Sequence, residues 1–139
     1  MSPAILNRSG NRPYPPRRSE LTARFWDALA QGRFLTTRCR ACGSFSFPPR
    51  SFCPSCWNAE MEWCDLPQGG VLYSKTVVHV APAIFAHETP YALCIVDLDV
   101  GIRVASRLVE ARADLPLGAR VSLVALRYED GALFAFRPE

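Results

Sequence analysis

Two pairs of cysteines, Cys39-Arg-Ala-Cys42 and Cys53-Pro-Ser-Cys56, constrain this chain more than any other feature, because a C-x2-C turn points both of its sulfurs to one side. The 10 residues between the pairs suffice for a short hairpin that brings the two turns around one tetrahedral ion. Gly43, just after the first pair, permits φ > 0, and Pro54 inside the second fixes φ, as such knuckles require. Cys39, Cys42, Cys53 and Cys56 therefore read as the ligands of a zinc ribbon. Four cysteine ligands also suit iron; zinc is preferred because nothing nearby resembles a redox partner site. All four positions are filled by protein, so the metal holds the fold together and leaves no site for a substrate.

At 139 residues, 49% of them hydrophobic, the chain fits one domain or two small modules with a modest core. No apolar run approaches the roughly 18 residues that cross a bilayer, and the start, Met1-Ser-Pro-Ala-Ile-Leu-Asn-Arg8, lacks a signal peptide's apolar core. The expectation is a cytoplasmic protein with no membrane partner, where reducing conditions keep thiolates available for metal.

Charge is distributed unevenly. Residues 1–50 hold nine arginines against Glu20 and Asp27, whereas residues 51–139 hold six arginines and Lys75 against eleven acids. The basic half can attract phosphates or an acidic protein surface through guanidinium contacts and long-range steering.

Three parts follow along the chain. Residues 1–18, with Pro3, Pro13, Pro15 and Pro16, read as an extended Pro/Arg-rich arm, either free or ordered on a partner. Residues 19–67 hold a helix and the ribbon. Ser19 caps a helix over Glu20 to Gln31, Gly32 supplies a left-handed end, and Leu21, Phe25, Ala28 and Leu29 share one face with Trp26 at its edge. Residues 68–139 open on Gln68-Gly-Gly70, read as a flexible joint, and then show five strands: Val71 to Val80, Tyr91 to Leu98, Ile102 to Val109, Arg120 to Tyr128 and Ala132 to Arg137. Tight reversals at Asp99-Val-Gly101 and Glu129-Asp-Gly131 join neighbours. The stretch Glu110 to Ala119 leaves little room for a helix. The fold class is mainly β: an N-terminal helix, a rubredoxin-like zinc ribbon and a C-terminal five-stranded OB-fold barrel.

The helix with Phe25-Trp-Asp-Ala-Leu-Ala-Gln-Gly-Arg33 is followed by Cys39-x2-Cys42-Gly43, Phe47-Pro-Pro-Arg50 and Cys53-Pro-Ser-Cys56. Then come Gly70-Val-Leu-Tyr-Ser-Lys-Thr-Val-Val-His79, Pro90-Tyr91, Gly118 before a valine strand, and a closing Phe136-Arg-Pro138. This order resembles the DUF35 family of zinc-ribbon and OB-fold, acyl-CoA-associated proteins, from Phe25 to Pro138. The resemblance implies a non-catalytic accessory subunit of a thiolase-fold enzyme (a thiolase, acyltransferase or lipid-transfer-protein-like aldolase). It also implies that the subunit helps bind the acyl-CoA substrate as a ligand shared with the partner. A two-plus-two heterotetramer is the natural expectation, because thiolase-fold partners are dimers.

Charge and aromatic placement suggest Arg38, Arg40 and Arg50, with Lys75 on the first strand, for the CoA head group, and Phe25, Trp26, Arg33 and Phe34 for the partner interface. No residue of this chain reads as catalytic: His79 and His87 have no paired nucleophile, and His87-Glu88 reads as ordinary loop polarity. Cys94 reads as a small buried hydrophobe and Cys64 as a spectator. The alternative function is single-stranded nucleic-acid binding, which ribbons and OB barrels both host. It is disfavoured because Tyr91 is the one aromatic on the second and third strands and the β half is net negative.

Overall fold

The computed structural model describes residues 3–139. Strand β1 (Ala4–Asn7) precedes helix α1 (Glu20–Ala30). Strands β2 (Leu35–Cys39), β3 (Phe45–Ser46) and β4 (Met61–Asp65) form the ribbon, an antiparallel sheet with β2 in the middle. The rest comprises β5 (Gly69–Val78), a short 3-10 helix (Ala83–Glu88), β6 (Tyr91–Leu98), β7 (Arg103–Leu108), β8 (Arg120–Tyr128) and β9 (Gly131–Pro138).

The last five strands close a barrel in the order β5-β6-β7-β9-β8, with β8 returning to β5. All contacts in it are antiparallel except β7 with β9, which is parallel. This is the OB-type architecture expected from the strand spacing. As expected, Glu110 to Ala119 forms only turns. The interior is apolar, with Leu72, Val96, Val121, Leu123 and the fully buried Phe136; removing a side chain such as Phe136 from water contributes about 2–3 kcal/mol.

Gly69 and Gly70 depart from the expected joint. Both belong to β5, and a Cβ on Gly70 would stand 2.6 Å from Val96 Cγ1 and 2.7 Å from the Asp97 carbonyl oxygen. Glycine is needed there for close strand approach, not for a hinge.

Helix α1 starts as its sequence dictates. The Ser19 side chain accepts from the Thr22 N–H at 3.1 Å, while the Ser19 N–H donates to Thr22 Oγ1 at 2.8 Å. Gln31 is the C-cap, so the helix ends one residue before the expected boundary, and Gly32 follows at φ 79°. A Cβ on Gly32 would lie 2.7 Å from Ile5 Cδ1, so β1 packs directly over the helix end.

Strand β1 of the N-terminal segment is built into the fold. β5 pairs with β8 only over Arg120 to Ser122, and β1 runs parallel along Val124 to Arg127, the part of the β8 edge that β5 leaves free. Covering that edge satisfies backbone groups that would otherwise template association.

The helix docks through one aromatic hub, Phe134 of β9. Its ring centroid lies 6.2 Å from Phe25, 6.4 Å from Trp26, 6.4 Å from Phe34 and 5.2 Å from Phe47. Phe25 and Phe34, expected at a partner interface, are each 2% exposed. They fill this chain's own core, because a short helix must bury its large aromatics and β9 supplies the nearest apolar surface.

Candidate metal centre and its surroundings

The first knuckle leaves the end of β2 and the second follows β3, so the ribbon sheet itself brings the two C-x2-C turns together. Cys39 Sγ lies 3.6 Å from Cys56 Sγ, Cys42 Sγ lies 3.5 Å from Cys53 Sγ, and all four sulfurs fall within 4.8 Å of one another. A tetrahedral zinc with Zn–S bonds of about 2.3 Å separates its sulfurs by about 3.8 Å, so the donor set fits a structural zinc. No disulfide joins these cysteines among the described residues.

Backbone N–H groups converge on the sulfurs. The Cys42 N–H donates to Cys39 Sγ at 3.4 Å, and the N–H groups of Ser55 and Cys56 donate to Cys53 Sγ at 3.4 and 3.5 Å. Hydrogen bonding with the Ser44 side chain and backbone holds the Cys42 thiol down at about 6. Cys56 is pushed up to about 12: the Asn58 backbone favours its thiolate, but the Cys39 sulfur, burial and the sulfurs of Cys42 and Cys53 outweigh it. Thiolates this close cannot all carry charge without a cation between them, which is the electrostatic case for a metal.

The knuckles differ in one respect. Each ends on a left-handed residue whose N–H returns to the first cysteine's carbonyl: Gly43 at φ 78° (3.0 Å to Cys39 O) and Trp57 at φ 66° (2.8 Å to Cys53 O). Glycine takes that conformation freely, whereas a bulky residue is strained there. Trp57 is nevertheless 75% exposed and stacks on exposed Phe52 with centroids 5.3 Å apart and planes 9° apart. Sequence reasoning missed this pair. Its signal was present as aromatics flanking the second cysteine pair, one of them where the first knuckle has glycine.

The residues suggested for the CoA head group lie on both parts of the fold, Arg38, Arg40 and Arg50 in the ribbon and Lys75 in β5. Arg38 Nε donates to the Gly43 carbonyl at 3.2 Å, and its guanidinium lies over Phe45. Arg40 pairs with Glu62 at 3.5 Å, and the exposed Arg50 follows the buried Pro49. Lys75 stands on the barrel, where Nζ donates to the carbonyls of Ala113 and Leu115. Of the partner set, Trp26 lines a cleft of about 440 Å³ with Phe47 and Pro48, and Arg33 pairs at the surface with Asp65.

His79 and His87 are exposed, and Glu88 pairs with Arg107 at 2.9 Å. Cys94 is buried; burial raises its thiol to about 11, partly opposed by the Ser106 backbone. Cys64 lies in β4 opposite Thr36, and burial raises its thiol too. No helix among the described residues is long and apolar enough to cross a membrane.

Comparison with known proteins matches both halves of the fold. Residues 26–62 match the domain described as "ChsH2, rubredoxin-like zinc ribbon domain", and residues 63–126 match "ChsH2, C-terminal OB-fold domain". The DUF35 domain-containing scaffold protein of Methanocaldococcus jannaschii is 35% identical over 118 residues, covering 82% of this chain and 84% of that protein. Benzoylsuccinyl-CoA thiolase subunit BbsA of Thauera aromatica is 38% identical over 71 residues, 51% of this chain and 48% of that one. The solved structure of the Ltp2-ChsH2(DUF35) aldolase superposes with a TM-score of 0.77 at 30% identity, over 89% of this chain and 98% of that chain.

Proposed function

The chain belongs to the DUF35 family, and from that premise we propose that it is a cytoplasmic, non-catalytic accessory subunit of a thiolase-fold enzyme. In this role it stabilises a two-plus-two complex and helps bind the partner's acyl-CoA thioester. The thiolase subunit and aldolase among its relatives support the partner class.

The observation that carries the reading is the exposed Phe52–Trp57 stack. It sits on a knuckle whose sulfurs are committed to structural metal, and Trp57 keeps a strained backbone while exposing an indole to solvent. Strain retained at an exposed aromatic points to a role outside the fold, and Trp is enriched at the energetic centres of interfaces. Trp26 and Arg33 are the further partner contacts. His79 and His87 are exposed and Cys94 is buried with a raised pKa, which supports placing the reacting groups on the partner.

Affinity purification of the tagged chain from its own cells, with mass spectrometry after a moderate salt wash, tests this. Recovery of a thiolase-fold protein is the expected result. Recovery of nucleic acid or ribosomal material without an acyl-transfer enzyme would overturn it in favour of nucleic-acid binding.

A further inference from the structure

Three aromatic rings that folding leaves partly exposed, Trp26 of α1, Phe47 of the ribbon and Phe134 of β9, line one cleft of about 440 Å³ where helix, ribbon and barrel meet. Strand β7 adds Arg103 and the exposed Ala105, and the segment ahead of α1 adds Arg17. A concavity of this size, walled by aromatic rings and holding a few polar groups, has the make-up of a small-ligand site.

Charge narrows the ligand class. Two guanidinium groups line the cleft, and its lining residues include no acid. Arg103 is already engaged: Nε and Nη2 donate to the Asp97 carboxylate at 2.6 and 3.2 Å, and the group lies 3.7 Å from the Tyr73 ring centroid. It keeps most of its five donors but has its charge balanced by Asp97. Arg17 differs. It is exposed and makes no hydrogen bond or ion pair among the described residues, and Asp27 of α1 is held instead by Arg18 at 2.8 Å. One uncompensated charge beside three rings suits a monoanion with an apolar body, whereas a ligand with several phosphates would find its charge unmatched. A planar carboxylate is the anion that a guanidinium fork fits in two-point fashion.

We propose that the cleft binds a free organic acid, with its carboxylate on Arg17, Arg103 beside it, and its ring or chain against Trp26, Phe47 and Phe134. A thioester carries no such charge, so this ligand is distinct from the partner's acyl-CoA, and the assignment stands whether or not the chain joins a thiolase-fold enzyme. Because the lining comes from α1, the ribbon and the barrel, the bound acid ties the three parts together and raises the melting temperature as it saturates the site.

Calorimetric titration of the zinc-loaded full chain with phenylacetate, and separately with phenylacetamide and with acetate, tests it. Phenylacetate is expected to bind at least about tenfold more tightly than the amide, which lacks the charge, or acetate, which lacks the ring. Arg17 is exposed, so Arg17→Ala spares the core; it is expected to weaken phenylacetate by about tenfold, the loss of one charge-assisted contact, and to leave the amide unchanged. Ala105→Trp fills the cleft from an exposed position and is expected to abolish binding of both. Thermal melts of the ligand-free variants verify folding, and if Ala105→Trp does not fold, Arg17→Ala decides alone. Affinity is expected to fall as salt rises.

Equal affinity for acid and amide would overturn the anion assignment. Unchanged phenylacetate affinity in folded Arg17→Ala, or no binding at millimolar concentration, would overturn the site. The co-purified partner complex supplies the last comparison: phenylacetate bound by the free chain but excluded from the complex would assign the cleft to the subunit interface, where Trp26 is placed above, and overturn the ligand site.

Discussion

Arg12 closes over the turn between β8 and β9: its backbone N–H donates to Asp130 Oδ1 at 2.8 Å, and its Nη2 donates to the Asp130 carbonyl at 3.1 Å. A Cβ on Gly131 would stand 2.7 Å from Arg12 Cζ, so the turn is shaped around the arginine. The Arg12 backbone N–H, helped by its guanidinium, holds the Asp130 carboxyl below its usual range. The Arg103 side chain does the same for Asp97, and the Arg120 side chain for Asp99.

A carboxylate depressed in the folded state contributes stability above its unfolded pKa of about 3.9, and that contribution is lost as pH falls through the lower folded value. The urea midpoint should therefore be flat above about pH 5 and decline below about pH 4. Asp99→Asn and Asp130→Asn should each flatten the acid decline, and an acid limb identical to that of the unaltered chain would contradict these pairings.

Zinc removal should unfold the ribbon. Cys39, at the end of β2, and Cys53, in the second knuckle, are both buried, and their sulfurs belong to the four that lie within 4.8 Å of one another. Metal analysis should find one zinc per chain, and a strong chelator should lower the melting temperature, since a ligand at a thousand times its Kd stabilises the folded state by about 4 kcal/mol. Cys39→Ser and Cys56→Ser should lose both metal and ribbon stability. Retention of both in either variant would refute the ligand assignment.

What could be read in the sequence was local. The cysteine spacing, the Ser19 cap, Gly32 at the helix end and the Asp99 and Glu129 reversals each lie within a few residues of what they determine, and each appears where expected. What could not be read depends on distant partners. β1 is four residues long, and its pairing residues begin at Val124. Phe25 and Phe34 looked available for a partner because Phe134, which covers them, lies about a hundred residues away. Charge counted along the chain also could not show that folding brings Arg8 into one groove with Arg107.

Phe134→Ala should undock the helix more than it disturbs the barrel. The ring meets Phe25, Trp26, Phe34 and Phe47 and is only partly buried, at the edge of the core cluster that holds the fully buried Phe136. A loss of about 2–3 kcal/mol is expected, below the full cost of a buried Phe because the ring is partly exposed. Hydrogen exchange should show α1 losing protection while β6 and β7 keep theirs. Uniform loss across all elements would mean that helix and barrel form one cooperative unit with no separable dock.

Trp57→Gly separates the fold from the proposed interface. Glycine takes φ 66° without strain, relieving about 1 kcal/mol, while the lost Phe52–Trp57 stack costs about 0.5–1.5 kcal/mol. The two effects offset, so zinc content should be unchanged and stability should move by less than about 1 kcal/mol. Partner affinity should respond differently, since truncating a central interface tryptophan typically costs about 2 kcal/mol or more, roughly thirtyfold in Kd. Phe52→Ala should weaken the partner less, because Phe52 is the less exposed ring of the stack. Co-purification of the thiolase-fold subunit with Trp57→Gly at undiminished yield and affinity would leave the strained tryptophan without a function and return the interface to the helix and Arg33.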